Sequence, residues 1–146
     1  MLRKLLLSMS LVLVVQVAHH AFAADKFVVT SHQDGARVAA GEPITIEGEH
    51  PVGVNDEVKC WAFCRDQFGG WYVQNPPVEL TGETFEATNI RPGAGIIKIA
   101  FVVVDKSGHE RLKSWVKQER FGKIEDDEVR ALPGFREIGR LKIVVE

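Results

Sequence analysis

Outside the first 24 residues, the side chains with the chemistry to bind or react crowd into one stretch, Asp56 to Leu80. It holds both cysteines, Cys60 and Cys64, two of the three tryptophans, Trp61 and Trp71, and the only tyrosine, Tyr72. A C-x₃-C pair with a histidine could hold a soft metal or cycle between thiols and a disulfide. Residues four apart on a straight strand stand roughly 13 Å apart, beyond the roughly 7 Å that a disulfide spans. A Cys60–Cys64 bond therefore needs a bulge near Phe63 or an early end to the strand. Export would favour that bond chemically, but the geometry favours two free thiols. The histidines that could complete a metal site with Cys60 and Cys64 are His32, His50 and His109. Each falls in a turn or loop and no two have ligand spacing, so they join only if loops at one end of the fold converge.

The aromatic rings offer a different chemistry. On the strand beginning at Glu57, Val58, Cys60, Ala62 and Cys64 share one face, and Lys59, Trp61, Phe63 and Arg65 share the other. The small, apolar face suits a core. Trp61 and Phe63 then lie opposite, and with Trp71 and Tyr72 they could form a platform for a protein or a glycan. The competing reading is that Trp61 is itself core, or is covered by the irregular stretch 121–136, whose Phe121, Leu132 and Phe135 need an apolar support.

Other reactive types are present without their contexts. Ser31-His32, Ser107 with His109, and Ser114 supply nucleophile and base, but none sits in a Gly-x-Ser-x-Gly turn. Glu125-Asp126-Asp127-Glu128 lacks the alternating spacing and internal glycine of a calcium loop. Arg91-Pro92-Gly93-Ala94-Gly95 leads into a strand, so its glycines have no helix N-terminus with which to cradle phosphate. The sequence thus reads as non-enzymatic, and nothing in it requires a cofactor.

The elements that must position these residues are short strands. Phe27 to Thr30, Ile44 to Gly48, Glu57 to Arg65 and Trp71 to Gln74 have strand composition, and Gly69-Gly70 turns the last two into a hairpin. Pro76-Pro77 pushes Val78-Glu79-Leu80 to an edge or into a new strand. Phe85, Ala87 and Ile90 mark another strand. Ile96 to Val104, rich in β-branched residues between Gly95 and Asp105-Lys106-Ser107-Gly108, suits the middle of a sheet, with Ile97, Ile99, Phe101 and Val103 on one core face. Leu112 to Glu119 alternates as a strand would, Glu125 to Leu132 fits one or two helical turns stopped by Pro133-Gly134, and Leu141 to Val145 closes the chain. Seven to nine short strands with regular turns predict an all-β antiparallel sandwich.

The chain begins with Arg3-Lys4, an apolar run from Leu5 to Val17 and the small-residue site Ala21-Phe22-Ala23. That order predicts a signal peptide over residues 1–24 and an exported domain over 25–146, periplasmic or extracellular. The run falls short of the roughly 20 residues of a membrane span, so no span is expected after cleavage. The chain's 18 basic and 20 acidic residues lose Arg3 and Lys4 with the leader, which leaves a net charge of −4. With no long basic run, a nucleic-acid partner is not expected.

Gly70-Trp71-Tyr72-Val73-Gln74, Pro77-Val78, Gly82 with Phe85 and Ala87, Ile97 to Asp105, and Leu132-Pro133 follow one another in an order that resembles immunoglobulin-like domains of secreted bacterial proteins. The resemblance covers most of residues 25–146 and implies an immunoglobulin-like sandwich. It supplies no catalytic residue, and the inter-strand cysteine pair of antibody domains is absent, because both cysteines fall in one segment. The expectation is a secreted immunoglobulin-like module binding a protein or glycan through the Trp61/Trp71 hairpin. The alternative is a periplasmic metal-binding or redox-linked protein using Cys60, Cys64 and a histidine.

Overall fold

The computed structural model describes residues 27–50 and 57–146, so the signal peptide expected over 1–24 lies outside the described residues. Two sheets pack face to face. The first has four strands in the order β1 (Val28–Val29), β3 (Ile44–Glu49), β7 (Thr84–Ile90) and β6 (Glu79–Thr81). The second has five, in the order β2 (Ala36–Val38), β9 (Arg136–Val145), β8 (Gly95–Val104), β4 (Lys59–Arg65) and β5 (Trp71–Val73). The all-β expectation and its strand number hold among the described residues.

The apolar run at Ile96 to Val104 becomes β8, the middle strand of the second sheet, paired on one side with β4 and on the other with β9. Burial on both faces explains its continuous apolarity. Ile97, Ile99, Phe101 and Val103 turn toward the first sheet, whose inner face supplies Ile46, Phe85, Ala87 and Ile90. Cys60, Ala62 and Cys64 join them, as the small, apolar face of β4 requires.

The opposite face of the second sheet carries Trp61, Phe63, Trp71, Val73, Ala100, Val102 and Val104. Here the structure departs from expectation. Residues 112–119 form no strand; they belong mostly to α1 (Lys106–Lys117). Leu112, Ser114 and Val116 satisfy a period of two, but Gly108, Leu112 and Trp115 satisfy the helical period, and these last three are the buried ones. The segment Asp105–Gly108 that bounds the apolar run is the helix start, where the Asp105 carboxylate accepts the Gly108 N–H at 2.9 Å. Gly108 lets α1 lie close to the strand connection: a side chain there would put its Cβ 2.4 Å from the Pro133 carbonyl oxygen.

The expected helical turns before Pro133 are α2 (Asp126–Arg130). Leu112 and Trp115 of α1, Ile124, and Val129 and Leu132 around α2 close a second apolar core over Trp61 and Phe63. The molecule is thus sheet, sheet and helical layer. Among the described residues, no helix is long and apolar enough to cross a membrane.

Two further strand assignments change. β2 is not signalled by its three residues and runs parallel to β9, pairing Ala36 with Ile143 and Val38 with Val145. The sandwich is therefore not wholly antiparallel. Strand β9 begins at Arg136 rather than Leu141, and it bulges between the pairs Phe101–Gly139 and Val102–Glu137.

Candidate functional site

The hairpin formed by β4 and β5 does not present an open aromatic platform. Trp61 is 1% exposed and Phe63 and Trp71 are 0%, because α1 and the 121–135 segment lie over the face on which the pleat puts them. Their polar handles are also used. Trp61 Nε1 donates to His109 Nδ1 at 3.1 Å, and Trp71 Nε1 donates to Asp126 Oδ1 at 2.8 Å. The Arg65 guanidinium stacks 4.1 Å over the Trp71 ring, and Phe63 meets that ring edge-on. Tyr72, which alternates to the other face, remains partly exposed.

Nor do Cys60 and Cys64 meet each other or a histidine. Both are free and buried. They pair in unbroken register with Val103 and Ile99 of β8, so β4 has no bend that could close the C-x₃-C gap. Burial raises the Cys60 thiol far above its ordinary range and pushes Cys64 up to about 12. Neither is poised as a thiolate nucleophile or ligand. His109 lies on α1, His50 follows β3 with its ring 6.3 Å from that of Phe27, and His32 stands beside Ser31. Among the described residues, no three His, Cys, Asp or Glu side chains converge to hold a metal. Ser31 Oγ and His32 Nδ1 are 2.7 Å apart, but both are at the surface and Ser31 Oγ already accepts the Glu47 N–H.

The His109 contact has a pH consequence. Nδ1 accepts the hydrogen bond from Trp61 Nε1 only when it carries no proton itself. Burial, reinforced by the charges of Lys113 and Lys59 and opposed by Glu110, holds the imidazole below its ordinary 6.5. The unfolded chain therefore takes up this proton first. The contribution of His109 to stability is full above pH 6.5 and is lost as pH falls from there through the lower folded value. Urea midpoints measured from pH 7 down to 5 should fall more for the native protein than for His109→Gln, whose amide oxygen can accept the same bond without titrating. Parallel curves would remove His109 from this role.

Of the clefts among the described residues, the one with a largely apolar lining and two aromatic rings lies elsewhere, where the edges of the two sheets part beside β5. A cleft of ≈ 630 Å³ opens there, at the end where β4 turns into β5 and β7 into β8. Cys64, Val73, Ala94 and Ile97 provide apolar lining, and Tyr72 and Phe121 add aromatic rings. Phe121, expected to rest on the covered face, is instead 46% exposed.

Polar groups around the cleft are fixed by one another. Asp66 Oδ1 accepts the backbone N–H groups of Phe68 and Gly70 and so shapes the hairpin turn, while its Oδ2 accepts the Tyr72 hydroxyl at 2.8 Å. Desolvation opposes ionisation of Asp66, but these three hydrogen bonds and the charge of Lys123 prevail and hold its carboxyl below the ordinary range. The same bond raises Tyr72. Gln74 is buried; its Nε2 donates to the carbonyls of Tyr72 and Val73, and its Oε1 accepts the Arg91 backbone N–H at 2.7 Å.

Sequence reasoning does not find this group. Asn89, Arg91 and Gln74 come from separate segments, and Arg91 to Gly95 reads only as a loop. The one local signal is Asn89, which takes a left-handed conformation, φ 55°, that asparagine tolerates better than most residues. No protein-family model matches the chain, and no characterised protein matches it in sequence.

Proposed function

We propose that the protein is an exported, non-enzymatic immunoglobulin-like module that binds an apolar side chain of a partner protein in the cleft beside β5. The observation that carries this reading is the cleft itself: a solvent-facing concavity over a buried apolar floor, ringed by polar groups already held in place. Export rests on the charge, apolar run and small-residue site of residues 1–24.

The immunoglobulin-like assignment draws support from strand order. Lettering β1 to β9 as A, A′, B, C, C′, D, E, F and G turns the two sheets into ABED and A′GFCC′. Antibody domains use ABED against CFG, with C′ added beside C in variable types. On this lettering, α1 and α2 are an expanded connection between F and G, folded back over the sheet.

A protein segment suits the cleft better than a glycan does. Sugars need a dense set of free donors and acceptors, whereas Gln74, Asn89 and Asp66 already spend theirs on the protein. The test uses protein recovered from the periplasm, with an intact mass starting at Asp25, as bait for a displayed random-peptide library. Selected peptides should carry an apolar anchor and lose binding to Ala94→Trp, which fills the cleft from an exposed loop position. Peptides indifferent to that substitution would sink the reading, and glycan-array binding sensitive to it would reassign the occupant.

A further inference from the structure

We infer that the cleft contains a carboxylate-binding subsite at Arg91, so that the bound segment presents an acidic side chain or a chain terminus next to its apolar anchor. This rests on the reading of the cleft as a binding site. Arg91 is an exposed residue whose guanidinium is nevertheless held on one edge. Its Nε donates to Asn89 Oδ1 at 2.9 Å, and Asn89 is fixed at its other end by donating Nδ2 to the Asn75 carbonyl at 2.9 Å. The Arg91 backbone is pinned in turn by Gln74 Oε1. Two strand ends, β5 and β7, therefore meet in one network that orients a cation at the cleft.

The Nη edge is left over. Neither Nη group makes a hydrogen bond or ion pair among the described residues; Arg111 and Arg136 also make no ion pair there, but Arg91 differs from them in having its Nε held by a side chain and in lining the cleft. With Nε engaged, the two Nη groups remain to take a carboxylate end-on, in the two-point geometry that guanidinium offers and ammonium does not. Asp66, the one acid lining the cleft, is not paired with Arg91 and already accepts three hydrogen bonds, from its own turn and from Tyr72. Its charge repels a second carboxylate and so fixes polarity: the ligand's acid goes to Arg91 and its apolar body to Val73, Ile97 and Cys64.

The experiment is an amide-resonance titration of the mature chain, following the side-chain N–H groups of Arg91 and Asn89 together with the backbone of Tyr72 and Ala94 to Ile97. Four probes are used: N-acetyl-leucine, N-acetyl-leucinamide, N-acetyl-Leu-Glu-amide and glucuronate. The expected result is that one or both leucine acids bind at the cleft more tightly than the neutral amide. Arg91→Gln should weaken the acids by about tenfold or more while leaving the amide unchanged, and Arg91→Lys should recover only part of the loss. Which acid binds tells a terminal carboxylate from a side-chain one. Equal binding of acid and amide, or indifference to Arg91→Gln, overturns the subsite and leaves the apolar cleft standing. Glucuronate binding above both leucine acids keeps the subsite and overturns the protein-segment reading. No response from any probe overturns both.

Discussion

Trp61→Ala should lower the free energy of unfolding by about 3 to 5 kcal/mol, although the indole lies on the side of its sheet that faces away from the sandwich interior. The side chain is 1% exposed and sits beneath a helical layer whose buried apolar contacts are few: Leu112 and Trp115 from α1, with Ile124, Val129 and Leu132. A helix of the length of α1 is marginal alone in water, so its stability comes from this packing. Removing Trp61 takes away one of the two buried indoles on the sheet side and the N–H group whose hydrogen bond His109 accepts. Amides of α1 should then exchange with solvent sooner than those of β8, which a uniform loss of stability would not produce. Trp61→Phe separates the two contributions. It keeps an aromatic ring in place and gives up the N–H bond, for which about 0.5 to 1.5 kcal/mol is expected. A denaturation midpoint for Trp61→Ala equal to that of the native protein, with loss of ligand binding instead, would restore the open platform.

The sequence left Trp61 between an open platform and a covered ring: Cys60, Ala62 and Cys64 suit the face that packs sheet against sheet, which puts Trp61 opposite without saying what lies over it, and the structure shows it covered. Part of the cover was legible: Leu132 is buried and Phe135 partly buried against this core, as the apolar residues of 121–136 demand. The rest was hidden in α1. Its twelve residues hold only Leu112, Trp115 and Val116 as large apolar side chains, too few to distinguish a period of two from one of 3.6. Three residues of β2 likewise gain their meaning from Ile143 to Val145, more than 100 positions away. The cleft was harder still. It is assembled from a hairpin turn, the ends of β5 and β7, a loop before β8 and a ring after α1. Each of these residues is ordinary in its own neighbourhood, and only the pairing of Arg91 with Asn89, and of Gln74 with Arg91, makes them a unit.

Phe101→Ala should cost about 3 to 5 kcal/mol as well, but for a different reason and with a different signature. Phe101 is fully buried on β8, and its ring centroid lies 5.1 Å from that of Phe85 and 5.4 Å from that of Phe27. Phe27 and Phe85 stack at 4.3 Å, so three rings form one contact between the two sheets. The opposite residue on β9 is Gly139, where a Cβ would stand 2.8 Å from Phe27 Cβ and 3.4 Å from Phe101 Cδ2. The backbone there is already as close as the rings allow, and the paired strands on either side of β8 limit collapse. The space vacated by Phe101→Ala should therefore stay largely unfilled, which is the condition for the upper part of that range. Against a domain stability of about 5 to 15 kcal/mol, the loss is large enough to bring unfolding close to ambient conditions. Because the contact joins sheet to sheet, protection should fall in β3, β7, β8 and β9 together, with no earlier opening of α1. Phe101→Leu, which keeps much of the volume, should cost less than about 1.5 kcal/mol. Equal losses for the two variants would mean that ring packing does not govern this site, and an unchanged midpoint for Phe101→Ala would place β8 in the wrong register.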